Sequence, residues 1–284
     1  MDIMKATNVY RIDETNVGDM YSAPNRYFDF GDNEKDIWQL DPRWEPEDKH
    51  VIIGGGGLIG QMRALTPMCY LLKDKGYKLY GWGVGDHSFV CMDEQSMYMP
   101  NLDVTYPSFI RTWDLIGIRD YYEELYGHLS NYHWVPCVSC MDEAFDKEYE
   151  IKHEYVYYNH QELPFQLVAG MKIKTPENLE DKKEIFMNNK EGSFDEVINF
   201  LGSGETVITN SYHGVYWATL LKRKVICFPY SSKFWGFYHK PTYATPLDYV
   251  DELDKCIVYD EALDDCREAT MDYYKILSER IGNE

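Results

Sequence analysis

The sequence predicts an α/β protein built on parallel, doubly wound sheets. Three observations carry this. Strand-like runs alternate with helix-like runs along most of the chain, glycines stand at the ends of several strand-like runs, and one charged, apolar-poor stretch divides the alternation in two.

The elements follow in order. "ATNVYRI" reads as a first strand and "NVGD", Asn16 to Asp19, as the turn after it. "HVIIGGGG" is a second strand, "QMRALTPMCYLLKDKG" a helix closed by Gly76, and "KLYGWGVG" a third strand. After a loop rich in proline and aromatic residues, "WDLIGIRDYYEELYG" passes from a strand ending near Ile118 into a helix ending at Gly127. The charged stretch at 142–152, "DEAFDKEYEIK", is the expected linker, giving domains over 1–145 and 146–284. The second domain opens with the strand "EYVYYNH" and a weakly patterned acidic stretch over 177–190. "SFDEVINFLGSG" is a capped helix, "TVITN" a strand, "SYHGVYWATLLKR" a helix and "KVICFPY" a strand. "DDCREATMDYYKILSERIG" is a long amphipathic helix with no strand after it, expected to pack back across one of the domains.

Composition limits the function classes. The 284 residues, 44% hydrophobic and 15% aromatic, are those of a globular protein of two domains. A formal charge of -20 without a sizeable basic patch repels polyphosphates and argues against nucleic acid as a partner. No apolar run approaches the roughly 18–20 residues that cross a bilayer, and the N-terminus has no basic region followed by an apolar core. A cytoplasmic protein without a membrane span is expected; the oligomeric state is left open, a homo-oligomer included. Seven scattered cysteines in mostly apolar surroundings read as reduced thiols. Cys137 and Cys140 form a C-x-x-C, but a structural zinc needs about four ligands and no second pair completes the set. A packed domain junction is the favoured reading, and no metal is expected.

The helix after "TVITN" starts with Asn210 or Ser211 as its cap, and Lys222, Arg223 and Lys224 are expected in its last turn, complementing the helix dipole. His213 then falls in the first turn at the carboxyl edge of a parallel strand, where open α/β sheets bind ligands and helix N-termini attract anions. The competing reading is a core histidine facing Trp217 and Leu220; the position after a central strand favours function. Gly214 leaves space for an approaching ligand. Gly55, Gly57 and Gly60 match G-x-G-x-x-G, but a dinucleotide site wants an acidic residue ending the next strand, and Asp86 comes about ten residues too late. Close approach of a sugar, or tight strand-to-helix packing, remains. Asn16 and Asp19 belong to a turn that would share the ligand-facing edge. Arg119 follows an apolar strand, where it either pairs with Asp120 or Asp114 or grips a carboxylate or phosphate.

In order, "NVGD", "GGGGLIG" from Gly54, "GWGVG" from Gly81, "IRD" from Ile118 and "TNSYHGVYWATLLKRKVICFPY" from Thr209 resemble the polysaccharide pyruvyl transferase family over nearly the whole chain. The resemblance implies two Rossmann-like domains in a GT-B-like arrangement, the first facing the acceptor and the second the donor. It implies phosphoenolpyruvate as co-substrate, two hydroxyls of a saccharide as acceptor, and no cofactor. His213 matches the family histidine and becomes the general acid or a proton-donating phosphate partner. Arg119 matches the family arginine and would clamp the donor carboxylate or phosphate. Asn210, Ser211, Tyr212, Gly214 and Lys233 would surround the donor, and Asn16, Gly18, Asp19, Gly55 and Gly56 the acceptor. One departure stands out: many members carry arginine two residues before the histidine, where this chain has Ser211. A second anion clamp would then come from Lys233 or Lys240. Two other readings stay open, a GT-B glycosyltransferase using a nucleotide sugar, with Glu205 or Asp248 for the ribose, and a non-catalytic saccharide-binding relative. The 25 tyrosines and seven tryptophans suit sugar stacking, although most aromatics in a protein of this size are core.

Overall fold

The computed structural model describes residues 4–41, 43–59, 65–87, 108–122, 131–161 and 182–282. Its strands form two sheets. The first has the order β2-β1-β3-β4-β5-β6 and the second β11-β10-β9-β7-β8, and every pairing is parallel.

In the first sheet β1 is Thr7–Tyr10, β2 Glu34–Asp36, β3 His50–Ile59, β4 Lys78–Asp86, β5 Leu115–Ile118 and β6 Tyr132–Trp134, with helix α1 at Val17–Met20 and α2 at Leu65–Asp74. Successive side chains of a strand point to opposite faces. Val51 and Ile53 of β3 therefore meet Leu65, Met68, Cys69 and Leu72 of α2 on one face. Ile52 meets Tyr80, Trp82 and Leu115 on the other, where the terminal helix covers them. Burial on both faces is why these strands read as apolar runs.

In the second sheet β7 is His153–Asn159, β8 Phe186–Asn188, β9 Gly204–Thr209, β10 Lys224–Cys227 and β11 Thr242–Tyr243. Helix α3, Phe194–Gly202, starts in a capping box: the Ser193 hydroxyl accepts from the Glu196 N–H, while the Glu196 carboxylate accepts from the Ser193 N–H. Helix α4, Tyr212–Leu220, is capped by Ser211, and the last helix α5 runs Ala262–Gly282.

Helix α5 spans the two halves. Its buried residues Ala262, Cys266, Thr270, Tyr273, Leu277 and Ile281 recur every three or four positions, one stripe of an α-helix. Ala262 and Cys266 pack with α4 in the second core, whereas Tyr273, Leu277 and Ile281 close the open face of the first sheet. The Tyr273 hydroxyl donates to the Gly81 carbonyl. Gly117 of β5 permits this approach, since a Cβ there would lie 2.8 Å from the Tyr273 ring.

The second strand runs through the glycine run as expected and continues two residues further, to Ile59. Several expectations are corrected. Residues 142–152 are a packed connector, in which Asp142 accepts from the Ala144 N–H and Phe145 is buried edge-on to Phe194. Arg267 of α5 holds this connector by donating to the Cys140 carbonyl at 2.8 Å and to the Asp146 carboxylate at 2.6 Å. Lys222, Arg223 and Lys224 lie beyond α4 rather than in its last turn. Arg223 caps the Gly202 and Tyr149 carbonyls instead, and Lys224 opens β10 beside Glu205 at 2.9 Å. The short strands β2, β6, β8 and β11, all at sheet edges, were not expected. The helix expected toward Gly127, and Gly60, fall outside the described residues. Cys137 and Cys140 sit in the second core as free thiols, with the Cys137 carbonyl accepting from the Tyr216 hydroxyl at 2.8 Å. Among the described residues no helix is long and apolar enough to cross a membrane.

Leu277 is fully buried against the first sheet. Leu277→Ala should lower the unfolding free energy by about 2–5 kcal/mol in urea titrations, the cost of the lost methyl groups plus a cavity.

Candidate functional site

Parallel sheets gather all their carboxyl ends on one edge, and the residues that directly follow the strands meet there. Arg11 follows β1, His87 follows β4, Arg119 follows β5, His160 follows β7, Asn189 follows β8, and Ser211 and His213 follow β9. With Lys233 from the loop after β10, they line one cleft of about 210 Å³ between the two halves.

His213 is fixed from both halves. The Ser211 hydroxyl accepts from the Gly214 N–H and sets the start of α4. The imidazole stacks on Trp217 with ring centres 4.8 Å apart, and its Nε2 lies 3.6 Å from the Cys137 Sγ. On its remaining side helix α1 packs so closely that a Cβ on Gly18 would stand 2.2 Å from His213 Nδ1. Only glycine lets α1 reach the ring. Burial holds the His213 pKa well below the ordinary range, and the positive charges of Arg119 and Lys233 push it down further. The ring is therefore neutral at neutral pH.

Arg119 is 4% exposed. Of the two carboxylates offered to it, Asp114 holds Lys73 at 2.8 Å and Asp120 accepts from the Asp86 N–H. Among the described residues Arg119 makes no ion pair, and its Nε is buried without a hydrogen-bond partner. Its guanidinium lies on the Tyr212 ring, 3.6 Å from the centroid, and Tyr212 is backed by Phe237 in a stack at 4.7 Å. Gly85 and Gly57 make room: Cβ atoms there would meet Arg119 Nε at 2.3 Å and a terminal nitrogen at 3.2 Å. A buried cation so placed calls for an anion.

Lys233, 7% exposed, donates to the Tyr230 hydroxyl at 2.7 Å. Burial pushes His87 down to about 2, with Lys233, Arg119 and His160 adding to the shift. This end of the cleft is cationic in a chain of net charge -20. Polar residues of helix α1 and its cap line the cleft beside these groups. Asn16 caps α1 by accepting from the Gly18 N–H at 3.1 Å and donates to the Asp19 carboxylate at 2.9 Å. Asp19 is pushed up to about 6, by burial first and then by Asp13, against the opposing pull of Arg11, Lys233 and Arg119. Arg11 reaches Asp36 at 2.7 Å and covers Trp38 at 4.3 Å.

Nine of the twelve residues assigned a catalytic, donor or acceptor place converge here, His213, Arg119, Ser211, Tyr212, Lys233, Asn16, Gly18, Asp19 and Gly56, and Gly57 of the glycine motif joins them. Three stand behind the lining. Asn210 is fully buried and accepts from the His160 N–H at 2.8 Å, and the Gly55 N–H donates to the Ser22 carbonyl at 3.0 Å. Gly214 makes room not for a ligand but for Thr209 and Tyr158, which a Cβ would meet at 2.4 and 2.7 Å. Lys240 is outside the lining, whereas Lys233 and Lys190 are both part of it. Glu205 pairs with Lys224 and Asp248 accepts from Thr245; neither lines the cleft. Sequence reasoning passed over Arg11, Asp13, Trp38, His87, His160 and Asn189. For Arg11, His87 and His160 the usable signal was position at the end of a strand the sequence shows, whereas Asn189 follows a short edge strand that it does not.

The model of the family described as polysaccharide pyruvyl transferase matches residues 8–232. Among solved structures, a protein of Klebsiella pneumoniae described as uncharacterized is 15% identical, with 85% of this chain and 94% of that chain covered at a TM-score of 0.40. A variant of the wall teichoic acid polymerase TagF is 12% identical, with 98% of this chain and 89% of that chain covered at a TM-score of 0.43. No curated protein matches the chain.

The raised pKa of Asp19 has a signed effect on stability. Its carboxyl binds a proton more tightly in the folded chain, so its contribution is complete below about pH 4 and is lost as pH rises through about 6. Asp19→Asn should remove this loss: relative to the parent, thermal denaturation of the variant should improve between about pH 4 and pH 7.

Proposed function

The chain belongs to the polysaccharide pyruvyl transferase family, which makes it a polysaccharide-modifying transferase, and from that premise we propose that it moves the enolpyruvyl unit of phosphoenolpyruvate onto two saccharide hydroxyls. The products are a pyruvate ketal and free phosphate. The acceptor is an intermediate of cell-surface or exopolysaccharide synthesis, and the reaction takes place in the cytoplasm. The observation that carries the reading is the buried Arg119 guanidinium, stacked on Tyr212 and without an ion pair among the described residues, beside Lys233 and His213.

In this reading Arg119 and Lys233 hold the carboxylate and phosphate of the donor. The bound negative charge reverses the electrostatics that keep His213 neutral, so the imidazole takes up a proton when the donor is in place. His213 then serves as general acid. The enol methylene is protonated to a methyl group, the cationic carbon is captured by one hydroxyl, and the second hydroxyl displaces phosphate to close the ketal. Two hydroxyl protons leave the saccharide, matching the third methyl hydrogen and the proton on the released phosphate. Asp19, with a pKa of about 6, is mostly ionised at neutral pH and is the base that faces those hydroxyls.

Phosphoenolpyruvate at about a hundred times its dissociation constant should stabilise the protein by roughly 2.7 kcal/mol, a rise of several degrees in a thermal-shift titration. The rise should vanish in Arg119→Ala and stay small in Arg119→Lys, since lysine cannot reproduce the planar fork. A rise with a nucleotide sugar instead would make the protein a glycosyltransferase. Equal ligand binding in parent, Arg119→Ala and His213→Ala would support a non-catalytic saccharide-binding protein.

A further inference from the structure

We propose that Trp38 is the stacking platform on which a pyranose ring of the acceptor saccharide rests at the mouth of the cleft. The inference rests on the reading of the acceptor as a saccharide. It starts from an anomaly of exposure: Trp38 is 68% exposed, more than any other large apolar side chain among the described residues, and it is the one of them that lines the cleft. The other six tryptophans are buried or half-buried.

The ring is braced although it is exposed. The Trp38 N–H donates to the Asp36 carboxylate at 3.2 Å, which fixes the backbone of its short 3-10 turn. The Arg11 guanidinium covers one indole face at 4.3 Å. Arg11 is itself tied down, donating to Asp36 at 2.7 Å and to the Ile12 carbonyl at 2.6 Å. With one face covered and the ring 68% exposed, the other face is left to solvent at the edge of the cleft that Trp38 lines. A surface held in place in this way loses little conformational freedom when a ligand lands on it.

The chemistry of the neighbours and the size of the cleft name the occupant. A pyranose offers an apolar C–H face for an indole and a rim of hydroxyls for hydrogen bonding. Asp13, Asn16 and Asp19 line the same cleft and accept from hydroxyls, whereas Arg119 and Lys233 mark its buried, cationic end. Pockets that enclose a drug-sized ligand measure about 300–1,000 Å³. The cleft's volume of about 210 Å³ admits a small donor but not a saccharide chain. The acceptor must therefore enter from the mouth and extend over its rim, where Trp38 stands.

The test uses full-length protein labelled with 5-fluorotryptophan, whose Trp38 fluorine resonance is identified by its absence in Trp38→Phe. Lactose, maltose, cellobiose and the methyl glycosides of galactose, glucose and mannose are titrated with and without phosphoenolpyruvate. At least one sugar should move the Trp38 resonance and leave those of the buried tryptophans in place. Trp38→Ala should weaken binding of that sugar by about tenfold, Trp38→Phe should retain most of it, and both should keep the thermal shift with phosphoenolpyruvate. No movement with any of these sugars, or equal sugar affinity in Trp38→Ala, overturns the platform. Movement that tracks protein concentration rather than sugar also overturns it, because the ring then belongs to a contact between copies. Movement with sugar but no thermal shift with phosphoenolpyruvate leaves the platform standing and removes the pyruvyl-transfer reading.

Discussion

A guanidinium taken out of water without a carboxylate beside it costs several kcal/mol, and the seam between the two halves is organised around one such group. Arg119 comes from the first sheet, and the Tyr212 ring beneath it comes from the first turn of a helix in the second. Phe237 backs that ring, and the glycines at 57 and 85 leave the space that the arginine occupies. The stack contributes some attraction, yet a ring quadrupole does not match the hydration a guanidinium gives up. The residual demand for negative charge sets the electrostatics of the cleft.

The same demand governs the histidines. His213 and His87 are held neutral by burial and by the positive charges of Arg119 and Lys233, so the empty cleft disfavours further protons. Asp19 responds in the opposite sense, because burial and Asp13 disfavour its charge more than the nearby cations favour it. A neutral imidazole and a carboxyl poised near neutrality thus share one site in an otherwise strongly acidic protein. Negative charge beside the imidazole favours its protonated form, as the positive charges of Arg119 and Lys233 favour the neutral one, so proton uptake by His213 is coupled to the charge held between the halves.

Such coupling requires the halves to stay in register within tenths of an ångström. Two features supply that. Helix α5 carries one apolar stripe across both cores, and its Arg267 and Tyr273 reach the connector and the first sheet. Helix α1 of the first half touches His213 of the second with no room for a side chain at Gly18. Tyr21 at the end of α1 also stacks on Phe194 of α3 with ring centres 3.9 Å apart, so the first half packs into the core of the second.

The sequence by itself determined the α/β class, the strands β1, β3, β4, β5, β7, β9 and β10 and the helices α2, α3, α4 and α5, and it singled out His213 and Arg119 as candidates. Those elements announce themselves because a strand buried on both faces must be continuously apolar, and because caps such as Ser193 and Ser211 act on the residues next to them. Tertiary structure decided the rest. Strands β2, β6, β8 and β11 lie at sheet edges, are two to three residues long, and owe their hydrogen bonds to a neighbour distant in the chain. Gly214 and Gly18 look alike as sequence, yet one makes room for Thr209 and the other for an imidazole from the opposite half. Arg11, His87 and His160 were single polar residues after strands until parallel pairing brought those strand ends to one edge. Adjacency along the chain sets caps and periodicity, whereas a cleft is made of contacts between segments far apart in sequence, and only the folded sheets bring those segments together.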